Sequence, residues 1–302
     1  MELLGKTNID FIGMKKVSFI ISGIIALIGI AGIISIATGT ANMGIDFSGG
    51  TAMQLKFTQP VTTQAAREAL AREGVKEVDL QEIKDGNKLL IKMRKSTIGT
   101  GKVADHVQEV LKKEFPTNPF TVESSTEIGP SIGEKLKNDT LVAVALSMLG
   151  IILYIAWRFD FKFGVGAVVA TLHDVLAIFA VFFVLHKEVN LLLITAVLTI
   201  AGYSLTDTVV VFDRIRENLH KSLKDPIPQV FNRSINEVLS RTIVTSFTVF
   251  MAAISLFLFG GEVIHDFAFA LLVGVLVGTY SSIFVASPIV ALWEKPQAEA
   301  KA

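Results

Sequence analysis

Six stretches of the chain are apolar for long enough to cross a lipid bilayer. They run over about 17–38, 139–157, 163–185, 189–212, 242–260 and 266–293. A helix needs roughly 20 residues, rising about 1.5 Å each, to span a hydrocarbon core of ~30 Å, so each stretch is read as a transmembrane helix. The first follows Lys15-Lys16 and could pass for the core of a cleaved leader. Such a core runs to about 7–15 residues; this one is longer and is expected to stay as an anchor.

Between the first two spans, residues 39–138 carry helical and strand periodicities in turn. IDFSGGTAMQLKF reads as a strand broken by a glycine pair, and TQAAREALAREG as a helix with Ala66, Ala69 and Leu70 on one face and a stop at Gly74. VKEVDLQEI and NKLLIKMR form an expected hairpin turning at Asp85-Gly86. GKVADHVQEVLKKEF is a second helix ended by Pro116, and FTVESSTEI a last strand. The order βαββαβ predicts a ferredoxin-like α/β domain. Within it, GIDFSGGT invites an anion-binding reading, since Gly-rich turns gather backbone N–H groups. No Lys-Ser/Thr follows and no helix opens after it, so the glycines are read as a bulge or a close backbone approach.

Composition narrows the class further. The chain is 51% hydrophobic with a mean hydropathy of +0.56, values that belong to membrane proteins. Its 28 basic and 28 acidic residues cancel, leaving no overall field to draw nucleic acid. Cysteine is absent, which excludes disulfides, thiolate catalysis and Cys-ligated metal. No metal, cofactor or catalytic constellation is expected, and the chain is not read as an enzyme. Lys and Arg concentrate before the first span (Lys6, Lys15, Lys16), between the second and third (Arg158, Lys162), and between the fourth and fifth (Arg214, Arg216, Lys221, Lys224, Arg233). Those links are expected to be cytoplasmic, with both termini inside and residues 39–138 outside. The expected division is 1–38, the N-terminus and first helix; 39–138, the external domain; 139–293, five further helices with a cytoplasmic loop at 213–241; and 294–302, a cytoplasmic tail.

Ionisable residues at membrane depth are rare and default to a functional role. Asp174, beside His173, lies near the middle of the third span; Asp207 lies in the inner half of the fourth; Arg241 opens the fifth. Asp207 and Arg241 are expected at similar depths on neighbouring helices. Thr195, Thr199, Tyr203 and Asp207 recur at i, i+4, a polar stripe in which Asp207 is read as a proton carrier. For Asp174 a proton relay and a hydrogen-bonded tether between helices both stand, while His173 reads as a tether. GVLVG at 274–278 matches GxxxG and predicts close helix packing. Asp213 and Arg214 are expected at the interface, solvated.

GIDFSGGT after the first span, LHD in the third, GYSLTDTVVVFDRIREN through the end of the fourth, SRTIVTS opening the fifth and GTYSSIFVASP in the sixth resemble the SecD/SecF family of protein-export membrane subunits, relatives of the resistance-nodulation-division transporters. The resemblance covers nearly the whole chain in order and spacing. It implies residence in the bacterial cytoplasmic (inner) membrane and a SecD partner with a similar six-helix half. It further implies the SecYEG channel, with YajC and YidC as further partners, and use of the proton-motive force to promote translocation or release of exported chains. By motif, the family's coupling acid and arginine fall on Asp207 and Arg241; Asp174 stands beside them as a further candidate for proton coupling, and Thr199, Tyr203 and Thr206 as a supporting polar stripe. Thr206 stands where the family commonly has Asn, which changes the local hydrogen bonding. Gly44, Asp46, Phe47, Gly49 and Gly50 match the motif after the first helix.

Two other classes share the intramembrane acids. A proton-coupled exporter of small molecules or lipids would more naturally carry both six-helix halves in one chain. An intramembrane aspartyl protease needs two acids sharing one site, and its Gly-x-Gly context is missing around Asp207.

Overall fold

The computed structural model describes residues 5, 7–75, 78–83, 87–94, 103–222 and 224–294. They form two compact units, one of residues up to 42 with 143–187 and 192 onward, the other of 43–142 with 188–191.

The second unit holds the expected α/β domain. Its elements are α2 (Ile45–Ser48), β1 (Gly50–Phe57), α3 (Thr63–Arg72), β2 (Val78–Ile83), β3 (Lys88–Arg94), α4 (Val103–Glu114) and β4 (Phe120–Ile128). All pairs are antiparallel and the strand order is β2-β3-β1-β4, the ferredoxin-like arrangement. Alternation along β1 turns Thr51, Met53, Leu55 and Phe57 inward, where they meet Leu80, Leu89, Ile91 and Met93 from the sheet. Ala66 and Leu70 of α3 and Val107 and Leu111 of α4 close the same core. The Thr62 side chain caps α3 by accepting the Ala65 N–H at 3.3 Å. The expected turn at Asp85-Gly86 lies outside the described residues.

One expectation in this unit is corrected. Ile45–Ser48 are a single helical turn rather than the start of a strand. The strand begins only at Gly50, because Gly49 and Gly50 take φ of +71° and +145°, which side chains resist. At Gly49 a Cβ would also sit 3.2 Å from Ile128 O and from Pro130 Cα, so the glycine serves a close backbone approach.

The six long apolar helices are α1 (Lys15–Ala37), α5 (Pro130–Arg158), α6 (Phe161–Val184), α7 (Leu191–Lys221), α8 (Ile227–Phe259) and a sixth span over Val263–Trp293. That last span is α9 (Glu262–Ser281), a π-helical segment (Ser282–Ala286) and α10 (Ser287–Trp293). Pro288, which lacks an N–H and crowds the carbonyl four residues back, accounts for the wider turn. Among its described residues, the link expected as a loop over 213–241 is helical except at 222 and 224–226. Hydropathy marks where helices leave the apolar layer, whereas backbone bonding and the pairs Arg214–Glu217 and Lys221–Glu217 carry α7 further.

The first unit packs through small residues, as a membrane bundle does when lipid removes the hydrophobic drive between helices. The buried positions of α1 are Ser18, Ser22, Gly29 and Gly32, while most of its isoleucines are exposed. A Cβ at Gly29 would fall 2.2 Å from Leu176 O. The GxxxG expectation holds: Cβ atoms at Gly274 and Gly278 would meet Ile200 at 2.5 Å and Ser204 at 2.9 Å. An aromatic cluster of Phe159, Phe163 and Phe212, with Phe231, fills one end of the bundle.

Candidate functional site

Several polar residues of the bundle meet in its interior, where a buried polar group needs a hydrogen-bond partner. Asp174 of α6 is 0% exposed. Its Oδ2 accepts hydrogen bonds from Ser204 Oγ of α7 and, at 3.0 Å, from Ser281 Oγ of α9. Its Oδ1 lies 3.4 Å from His173 Nδ1. The carboxylate thus ties α6 to α7 and α9. Such a group is expensive to disturb, because each buried partner left unsatisfied costs ~1–3 kcal/mol.

Asp207 of α7 is placed differently. It is 8% exposed, and among the described residues neither its buried Oδ2 nor the Thr242 hydroxyl of α8 has a partner at full hydrogen-bond distance, although Thr242 lies near enough to act on the carboxylate. Thr242 and Arg241 are the α8 side chains acting on its carboxylate. Arg241 is itself exposed and forms no ion pair with Asp207. One turn away, Tyr203 OH donates to Ser246 Oγ at 3.1 Å, and Ser246 is hydrogen-bonded to Thr279 at 2.7 Å. The α7–α8 seam is therefore a polar ladder, Tyr203–Ser246 above Asp207–Thr242, with Arg241 at its margin. One acid is held fast by its neighbours; the other has, among the described residues, no full hydrogen bond to its buried Oδ2 and lies near a cation.

The stripe read from sequence is only partly one face. Four residues on a helix advance 400°, so each i+4 step drifts by about 40°. Tyr203 and Asp207 turn inward, whereas Thr199 and Thr206 are exposed and donate to Thr195 O at 2.8 Å and Gly202 O at 3.1 Å. Asp213 is paired with Arg158 at 2.6 Å, and Arg214 with Glu237 at 2.6 Å.

Sequence reasoning missed a second cluster. Thr279, Tyr280, Ser281 and Ser282 reach four different helices in succession: Ser246 of α8; Ser18 O and Ser22 of α1, each at 3.1 Å; Asp174 of α6; and Thr208 of α7 at 2.8 Å. The signal was there, since four consecutive polar residues cannot share a single helix face.

The motif after the first helix lies in the second unit. Gly44 and Gly49 are buried, Asp46 and Phe47 sit in the α2 turn, and Gly50 opens β1. Among the described residues no group of His, Cys, Asp and Glu is arranged to hold a metal ion.

The family described as protein export membrane protein SecD/SecF, C-terminal, matches residues 106–296, and the SecD/SecF GG motif matches residues 34–61. The chain is similar to protein translocase subunit SecF of Thermodesulfovibrio yellowstonii, 53% identical over 98% of each chain. It is also similar to that of Calditerrivibrio nitroreducens, 40% identical over 97% of this chain and 96% of the relative. Of solved structures, it resembles the crystal structure of SecDF, a translocon-associated membrane protein, from Thermus thermophilus, with a TM-score of 0.84 at 35% identity, covering 95% of this chain and 39% of that one. SecDF in a super-membrane-facing form gives a TM-score of 0.69 at 34% identity, over 99% of this chain and 41% of that one. The chain thus spans about two fifths of the length of the solved SecDF chains.

Proposed function

This chain belongs to the SecD/SecF family of protein-export membrane proteins, and we propose that it is an accessory subunit of Sec protein translocation, driven by protons that pass through Asp207. The observation that carries this reading is the contrast between the two buried acids. Asp174 is fixed by Ser204 of α7 and Ser281 of α9, while Asp207 has, among the described residues, no full hydrogen bond to its buried Oδ2, with Thr242 and Arg241 nearby. An acid without a fixed partner can change charge without dismantling the bundle. Its attraction to Arg241 exists only while it is ionised, so protonation alters the force between α7 and α8. Asp174 serves as the tether about which that movement occurs.

Thr199, Thr206, Thr245 and Arg241 are exposed on α7 and α8. A surface carrying an arginine at membrane depth is poorly suited to lipid and fits a second helical half. The solved SecDF relatives are more than twice as long as this chain, which supports SecD as the owner of that half. SecYEG, YajC and YidC are the further partners implied. The Lys/Arg distribution supports both termini cytoplasmic and the ferredoxin-like domain outside, placed to act on an emerging chain, and the family implies the inner membrane. The exporter reading is not favoured.

The test is export into sealed vesicles carrying the chain, SecD and the channel, with and without a collapsed proton gradient. Asp207→Asn and Arg241→Met should copurify with SecD yet lose the gradient-dependent gain. A gain equal to the parent's in Asp207→Asn would refute the assignment.

A further inference from the structure

The proton reading leaves the motif at 44–50 without a task. Within the second unit this motif grips the segment 188–191. The Gly44 N–H donates to Val189 O at 2.8 Å, and Met43 and Val189 form a parallel bridge. Asp46 Oδ2 accepts the Leu191 N–H at 3.0 Å. Lys92, on β3, is ion-paired with Glu188. A Cβ at Gly44 would lie 2.9 Å from Asn190 Cβ and 3.1 Å from Glu188 Oε1, so a side chain fits there only if the contact opens.

Leu191 is the first residue of α7. The leading N–H groups of a helix have no partner inside it, and a carboxylate there also meets the positive end of the helix dipole. Asp46 supplies such a carboxylate. A slack link at 188–191 would absorb any shift of α7, whereas a link held at Glu188, Val189 and Leu191 passes the shift on.

We propose that Asp46 is a positioning residue: with Gly44 it straps segment 188–191 to the ferredoxin-like domain, so that displacement of α7 on protonation of Asp207 is delivered to that domain. The proposal rests on the reading of Asp207 as the proton carrier.

The test uses the full complex in sealed vesicles and two readouts. One is gradient-dependent export. The other is a fluorescent label at His220→Cys, an exposed position near the end of α7 beyond its apolar stretch. Asp46→Ala should keep assembly and the gradient response of the label while losing at least 5-fold of the gradient-dependent gain. Asp46→Asn, which keeps a carbonyl acceptor, should restore it. In an unlabelled Asp46→Ala chain, the pair Gly44→Cys and Asn190→Cys replaces the strap covalently, the contact opening slightly to the ~3.5–4.5 Å between Cβ atoms of a disulfide. Export should return on oxidation and vanish on reduction. The proposal is overturned if Asp46→Ala exports like the parent, if it loses the label response as well, or if the oxidised pair stays inactive. A label that responds equally in Asp207→Asn points instead to failure of the proton assignment.

Discussion

Replacing Asp207 by Asn should remove a specific amount of voltage dependence, and the position of the residue sets that amount. Asp207 lies about 24 Å along α7 from its first residue, Leu191, at ~1.5 Å per residue. Against a hydrocarbon core of ~30 Å, a proton arriving from the Leu191 side crosses roughly four fifths of a uniform field. One charge across the whole field is worth about 2.3 kcal/mol per 100 mV, so loading Asp207 gains about 1.8 kcal/mol per 100 mV. That is roughly a 20-fold change in proton occupancy. Asn has the size and hydrogen-bonding groups of the parent residue and no charge to cycle. Export by sealed vesicles is measured at equal pH on both sides while a potassium diffusion potential is stepped. The parent should rise steeply until Asp207 saturates, and the variant should be flat across the same steps. A variant as steep as the parent would place the voltage-sensing charge elsewhere and refute the depth argument.

Four further outcomes are expected. With no native cysteine, Asn87→Cys should react with an impermeant thiol reagent from outside intact cells and Ser222→Cys should not; the reverse pattern would invert the orientation. Residues 43–142 expressed alone should fold, and Leu55→Ala, which empties a fully buried site in β1, should cost ~2–5 kcal/mol in chemical denaturation; an unchanged midpoint would mean that the sheet core is not the stabilising element. In that same domain, the hydrogen bond and charge of Lys88, 2.8 Å away, hold the Glu123 carboxyl below its ordinary value. Its contribution is then present at neutral pH and is lost as pH falls through that lowered value, so Lys88→Met should flatten the acid limb of the melting profile. Asp174→Asn should lower the melting temperature of the detergent-solubilised chain while leaving gradient dependence in place; loss of gradient dependence without loss of stability would make Asp174 a relay.

The parts legible in sequence are those that a single helix or strand decides for itself. The six spans declared themselves by apolar length, and the ferredoxin-like order by alternation in TAMQLKF, DLQEI and LLIKM. Element ends were harder, because a helix continues wherever backbone bonding and side-chain pairs permit, and α5 and α7 both extend into charged sequence. The α2 turn was missed because four residues carry no period. Asp207 stood out because a charge at membrane depth is rare, yet its α8 neighbour Thr242 did not.

Hydroxyls defeat the reading for a physical reason. A serine or threonine in a helix can satisfy itself on the carbonyl four residues back, as Thr199 and Thr206 do on the exposed surface. Its presence therefore says little about whether it meets another helix. Consecutive hydroxyl-bearing residues are different. Successive positions turn by about 100°, so Thr279 to Ser282 sweep most of the circumference and cannot all face one neighbour or one solvent. Thr279, Ser281 and Ser282 also bond the carbonyls of Val275 and Gly278 in their own helix, so the run does not depend on outside partners. Because it faces several ways, it can still bond to several neighbours, and the four residues reach Ser22 of α1, Asp174 of α6, Thr208 of α7 and Ser246 of α8.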